Sequence, residues 1–237
     1  MTYRHPAVVA KMVATLDHIT NGRAILGLGA AWMEREHNMY GIPFDTAGIR
    51  LAKLAEASAV IRSLFDRPTT TFAGKYYQLK EALAEPKPTQ PHLPLMIGGG
   101  GERKTLRITA RFADMWHGFG TPQEIAHKVQ VLRAHCADVG RDPEAILVTV
   151  SVTPGVVLRD DPAGVATRLR EIAAMHRMSE PPSAERLRTP EEVARRMVEY
   201  WKLGVRGFLF GQSAPFDRET LVRLAREVRP RFEQLIA

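Results

Sequence analysis

At 237 residues, with 45% hydrophobic and 25% charged residues, the chain can bury a large core and reads as a folded domain, not a disordered or fibrous one. The single cysteine, Cys136, excludes an intrachain disulfide and a thiolate-built zinc site, and Arg4, His5, Lys11 and Asp17 interrupt the first twenty residues too often for a signal peptide or membrane span, so a cytoplasmic protein with no membrane contact is expected. The net charge of +7 comes from basic residues scattered over several predicted helices without interleaved aromatics, which argues against nucleic acid and for a solvated surface that favours small anions.

In chain order, Pro6 suits the first turn of a helix reaching about residue 20, with Val8, Met12, Leu16 and Ile19 at helical spacing and Asn21-Gly22 as its stop. Residues 24–29 form a short, uniformly apolar run, as expected of a strand buried on both faces of a parallel sheet. A helix over 47–65 follows. Residues 69–79 alternate β-formers around Gly74-Lys75, which predicts an inserted hairpin ahead of the proline-rich 86–94 stretch. Next come a strand at 94–98, a helix over 102–112 and a strand at 113–117. Thr121 and Glu124 are placed as a reciprocal cap for a helix ending near Gly140.

A strand at 146–152 and a helix over 164–175 lead into residues 176–188, which carry Pro181-Pro182 and no periodicity and are read as a mobile loop. A second capped helix opens at Thr189-Pro190-Glu191-Glu192, before a strand at 207–210 and a last helix from about Arg218. Alternation of strand and helix predicts a parallel α/β architecture in one domain spanning 1–237. Five strands fit either an open doubly wound sheet or part of an eight-stranded barrel, and periodicity leaves both open.

The chemistry is expected where strands end. In Ile97-Gly98-Gly99-Gly100-Gly101-Glu102 a strand runs into four glycines and then a helix, where bare amides and the positive helix end can hold a phosphate, or simply turn the chain. No Gly-Lys-Ser/Thr follows, so it is not a Walker loop. Arg103, Arg107 and Arg111 recur every four residues on the next helix, and Arg103 is the member near enough to meet an anion. After the first strand, Gly29 allows a flat ligand close, while Trp32, Glu34 and His37 offer stacking and hydrogen bonds, or only packing. His117 ends another strand and is a candidate for proton transfer, with a structural histidine as the alternative. No metal-ligand spacing and no Ser/His/Asp arrangement is found.

Taken together, Tyr3-Arg4-His5-Pro6-Ala7-Val8, Ala10-Lys11-Met12, Thr15-Leu16-Asp17, Asn21-Gly22-Arg23 and Leu26-Gly27-Leu28-Gly29-Ala30 resemble the third helix and fourth strand of the luciferase-like flavin-dependent oxidoreductases. Tyr40-Gly41-Ile42-Pro43-Phe44, Phe72-Ala73-Gly74-Lys75-Tyr76-Tyr77, Pro86-Lys87-Pro88 and the glycine run continue the resemblance in the same order, which is strongest to the branch that uses the deazaflavin coenzyme F420 in place of FMN.

That resemblance implies a TIM (β/α)8 barrel whose first three strands belong ahead of Thr2, and a start at Met1 placed downstream of the family's. It implies a ring bordered by Gly29 and Ala30, with its phosphate on the Gly98, Gly99, Gly100 and Gly101 backbone flanked by Glu102 and Arg103. It further implies hydride transfer to or from a small organic substrate, in a homodimer. The alternatives are an FMN-dependent monooxygenase of the same fold and a non-catalytic remnant that binds a flavin or serves only as an interaction partner. Ala31 and Met33 depart from the glycine and asparagine frequent in that branch.

Overall fold

A computed structural model describes residues 2–153, 155–183, 186–212 and 216–237. Chain packing divides it into two compact units, Met1–His117 with Gln130–Ile146, and Gly118–Val129 with Leu147–Ala237.

In the first unit, helix α1 (Pro6–Ile19) begins where the His5 ring Nδ1 accepts from the Ala7 amide at 3.2 Å and proline takes the first position. Its predicted apolar stripe faces outward: Val8, Met12, Leu16 and Ile19 are between 47% and 76% exposed. The buried side is Pro6, Ala10, Ala14 and Asp17, because small side chains let α1 lie close against helix α3 (Ala47–Asp66). Asp17 is fully buried and accepts from the Ala24 amide at 3.2 Å, the Gln90 amide at 2.9 Å and the Gln90 side chain at 2.7 Å. Burial alone would raise its pKa, but the hydrogen bonds from Gln90 and Ala24 outweigh it and hold the carboxyl below its ordinary value.

Strand β1 (Leu26–Leu28) is buried at Leu26 and Leu28 but exposed at Gly27, so only one face meets the core, contrary to the expectation of two. The run looks uniformly apolar because its open face carries Ile25, 52% exposed although apolar, and Gly27, which counts as neither polar nor packing. Helix α2 (Glu34–Met39) is short, and α3 starts at Thr46, whose hydroxyl accepts from Ile49. Leu54, Ile61 and Leu64 of α3 are buried in the core with Leu93, Leu95 and Ile97.

Strands β2 (Thr70–Ala73) and β3 (Gln78–Ala82) pair antiparallel. Their turn is pinned by Glu56 of α3, whose carboxylate accepts from the amides of Lys75, Tyr76 and Tyr77 at 2.8–3.1 Å. A Cβ on Gly74 would stand 2.4 Å from that carboxylate, so close approach requires glycine there.

Strand β4 (Leu95–Gly98) pairs in parallel with β1 and with β5 (Met115–Gly118), helix α4 (Thr105–Phe112) being the crossover. Asp114 ties the entry to these strands: it accepts from Arg62 at 2.6 Å, His92 at 2.7 Å and the Leu95 amide at 2.8 Å. Burial would raise its pKa, but the Leu95 and His92 hydrogen bonds and the charge of Arg62 hold it below the ordinary 3.8. A carboxylate with a lowered native pKa stabilises fully above its unfolded value and loses that contribution as pH falls through the native one. Unfolding free energy is therefore expected to fall as pH is taken below 3.8, and Asp114→Asn to flatten that fall. Urea midpoints at pH 7 and in the acid range measure it, and an unchanged slope in the variant would reject the assignment.

Helix α5 (Pro122–Asp138) opens on a reciprocal cap, with the Thr121 amide donating to Glu124 at 2.7 Å and the Glu124 amide to the Thr121 hydroxyl at 3.3 Å.

In the second unit, strands β6 (Leu147–Ser151) and β7 (Val205–Leu209) pair in parallel. Helices α6 (Pro162–Met175) and α7 (Pro190–Trp201) are capped by Asp161 and by a Thr189–Glu192 capping box. Helix α8 (Arg218–Arg223) passes through a π-helical turn, Leu224–Val228, into α9 (Arg229–Ile236). Of the 176–188 stretch, Leu187 is held by a bridge to Val156, while Ala184 and Glu185 lie outside the described residues. Among the described residues no helix is long and apolar enough to cross a membrane.

Candidate functional site

Ligands of parallel α/β folds gather at the carboxyl ends of strands. Leu28 is paired with Ile97, so Gly29 and Gly98 emerge side by side: a Cβ on Gly29 would stand 3.8 Å from the Gly98 oxygen, and one on Gly98 3.9 Å from the Leu28 oxygen. A cavity of about 420 Å³ borders this end of β1. Its wall is Leu26, Gly27, Leu28 and Gly29, continued by Ala31 and Trp32, and it is flanked by Thr2, Tyr3 and Arg4 ahead of α1 and by Val9 within it. Small-ligand pockets run from roughly 300 to 1,000 Å³. Two glycines leave the strand wall without side chains, which is what a planar ring system needs to lie flat against it.

The loop after β1 is held from behind. Arg50 of α3 donates to the Ala30 oxygen at 3.0 Å and to the Asp45 oxygen, and its guanidinium lies 3.8 Å over the Phe44 ring. His37 is buried with ring centroids 4.7 Å from both Tyr3 and Phe44. Its Nδ1 meets the Met33 oxygen at 2.8 Å and its Nε2 the Thr2 hydroxyl at 2.9 Å. A carbonyl only accepts, so Nδ1 carries a hydrogen, and Nε2 is paired with the Thr2 hydroxyl. Both nitrogens are occupied, and His37 supports the loop. The Tyr3 hydroxyl donates to Glu36 at 2.6 Å, and that bond, with burial adding to it, pushes its pKa up to about 12.

Ala31 stands where the pattern this sequence resembles has glycine. Its φ is +62°, the left-handed region in which a Cβ costs energy and glycine does not. Ala31→Gly is expected to stabilise the fold by roughly 0.5–1 kcal/mol, the relief of strain exceeding glycine's added chain entropy. A thermal or urea unfolding curve checks this, and a variant less stable than the parent would show that the loop is not strained.

The glycine run performs two structural jobs. Gly99, at φ +130°, donates its amide to the His117 oxygen at 3.1 Å and accepts from the Trp116 indole at 2.9 Å. The Gly101 oxygen receives the Leu106 amide at 3.1 Å, a wide turn that delays α4 to Thr105, three residues later than the sequence reading placed it. Gly99's amide is therefore already engaged, and the helix end expected at Glu102 stands farther along the chain.

Glu102 offers its backbone oxygen to His135 at 2.8 Å. Arg103 lines a different cavity, between α3 and α4, and does not border the strand-end one. His117, the register partner of Gly98, is buried, and burial lowers its pKa below the ordinary 6.5, which favours the neutral ring. Arg50 escaped the sequence reading because it sits twenty residues after the carbonyl it holds, with no local signal to connect them.

The family model described as luciferase-like monooxygenase matches residues 1–202. An uncharacterized protein of Mycobacterium tuberculosis is 32% identical over 162 residues, covering 68% of this chain and 56% of its own. The phthiodiolone/phenolphthiodiolone dimycocerosates ketoreductase of Mycobacterium sp. (strain JLS) is 37% identical over 155 residues, covering 63% of this chain and 39% of its own. The chain thus spans about half the length of the first of these relatives and less of the second. Among solved structures, an F420-dependent secondary alcohol dehydrogenase in complex with an F420-acetone adduct superposes with a TM-score of 0.81 at 20% identity, over 98% of this chain and 76% of that one. Its likeness gives the fold, that of an α/β barrel of the luciferase-like type. Five strands in parallel ladders are present among the described residues, where a complete barrel has eight.

Proposed function

The chain belongs to the luciferase-like monooxygenase family, and from that premise we propose that it is an oxidoreductase that binds coenzyme F420 at the carboxyl ends of β1 and β4. The observation that carries the reading is the adjacent pair Gly29 and Gly98 at the ends of β1 and β4, of which Gly29 lines a cavity of about 420 Å³ walled by β1. Gly29 and Ala30 would border the ring, with Arg50 holding the Ala30 carbonyl in place. The phosphate would meet the backbone from Gly98 to Gly101 with Glu102 beside it, Arg103 lining the other cavity, and Gly99 would contribute space and backbone direction because its amide already serves the His117 carbonyl.

When bound, the deazaflavin supplies the ring carbon that gives or takes hydride. A neutral His117 suits the receipt of a proton near the end of β5. A small organic substrate with a carbonyl or alcohol fits this chemistry, and the ketoreductase relative is named for reduction of a ketone.

The second reading is an FMN-dependent monooxygenase, favoured by the description of the matching family. Titrating the purified protein with F420 and with FMN, and following oxygen uptake, separates the two. Tight F420 binding without oxygen consumption is expected. Oxygen-consuming turnover with FMN and none with F420 would replace the first reading by the second, and a folded protein binding neither would reject both.

A further inference from the structure

A second cavity, of about 370 Å³, lies between α3 and α4 and shares no residue with the strand-end cavity. We infer that it binds an amphipathic anion, a phosphate monoester or carboxylate carried on an aliphatic chain. One side is cationic: Arg103, Lys104, Arg107 and Arg111. The other is apolar and small, with Leu51, Ala52 and Ala55 on one face of α3, and Ile108 joins them from α4. No carboxylate is among the lining residues, and no ion pair engages any of the four cations among the described residues.

The placement of Arg103 and Lys104 breaks the ordinary rules of helix electrostatics, whereas Arg111 sits in the last turn of α4, where a cation is ordinary. Arg103 and Lys104 precede the amino end of α4, which has no side-chain cap and no acid in its first turn, so they face the positive end of the helix dipole. Lys104 reaches further: its ammonium is 3.9 Å from where a Cβ on Gly48 would be, in the first turn of α3, at the positive end of a second helix. Arg107 and Arg111 add a like-charge pair one turn apart. Positive charge is thus concentrated at one end of the groove by two helix ends and two side chains, with no ion pair to offset it among the described residues, while Arg111 farther along lies 4.9 Å over the Phe112 ring. Local conflicts of this kind mark places where a ligand completes the arrangement.

An anionic head at that end would relieve the repulsion between Arg103 and Lys104 and the two helix ends, with Arg107 one turn along, and the strip of Leu51, Ala52, Ala55 and Ile108 leading away from it would take an alkyl tail. A purely polar anion leaves the apolar strip unused. A neutral alkyl ligand leaves the charges at that end unmet.

The test is calorimetric titration of the full chain with dodecyl phosphate below its micellar concentration, in parallel with inorganic phosphate, dodecyl maltoside and phosphatidylglycerol-containing vesicles. Dodecyl phosphate is expected to bind one-to-one and at least tenfold more tightly than inorganic phosphate or the maltoside. Arg107→Glu with Arg111→Glu, both exposed, should weaken it at least tenfold, as should Ala52→Glu. Should the charge reversal unfold the protein by circular dichroism, Arg107→Gln with Arg111→Gln carries the same expectation at about threefold.

Equal binding of inorganic phosphate would overturn the proposal in favour of an adventitious anion. Equal binding of the maltoside would reduce it to detergent adsorption, and binding of vesicles but not of the monomeric phosphate would make the groove a membrane contact. No binding, or binding indifferent to the substitutions, rejects it outright. F420 or FMN titrations of the Arg107→Glu, Arg111→Glu variant keep this result separate from the cofactor reading, which does not use either residue.

Discussion

Replacing Gly29 by leucine is expected to weaken binding of F420 or FMN at least 100-fold, about 2.7 kcal/mol, while the protein stays folded. The fold has room for the first atom, since a Cβ at Gly29 would make an ordinary contact, 3.8 Å from the Gly98 oxygen. It has no comparable allowance beyond it: the remaining leucine atoms would occupy the cavity that Gly29 lines between Leu28 and Ala31. Gly29→Ala separates crowding from misfolding and should lose much less. Fluorescence or absorbance titration reads the loss, and wild-type affinity in the leucine variant would place the ring elsewhere.

The second large effect concerns stability. Asp17→Ala is expected to cost about 3–5 kcal/mol, because removing a buried acceptor leaves its donors unsatisfied. Three such donors converge on this carboxylate, the amides of Ala24 and Gln90 and the Gln90 side chain, and they join α1 to the approach to β1 and to the loop before β4. Asp17→Asn should recover only part of the loss, since its amide nitrogen would face a donor. Urea denaturation measures both, and a cost under about 1 kcal/mol would mean that water or a neighbour satisfies the donors.

Much of the element order was legible because it rests on local rules. Thr121 with Glu124, and Thr189 with Glu192, signal helix starts through hydrogen bonds that span three residues, and both caps form. Strand starts and stops near Leu95–Gly98 follow from a short apolar run ended by glycine. Facing was not legible to the same degree. Val8, Met12, Leu16 and Ile19 have a helical period and are exposed, while Ala10 and Ala14 are buried, because closeness to α3 selects small side chains and hydrophobicity does not.

The candidate site divides in the same way. Gly29 and the glycine run are visible as strand-ending glycines, a property of adjacent residues. That Gly99's amide is spent on His117, that Arg50 holds Ala30, and that Lys104 reaches the first turn of α3 depend on residues brought together from 18, 20 and 56 positions apart.

The sequence by itself determined the alternation of strand and helix, the caps that start the helices and the family to which the pattern belongs, since each is written in residues a few positions apart. Only the tertiary structure decided which face of α1 is buried, which glycine amides remain for a ligand and that four cations share one groove. Those outcomes turn on the distances between elements, and distance across a fold has no period in the chain.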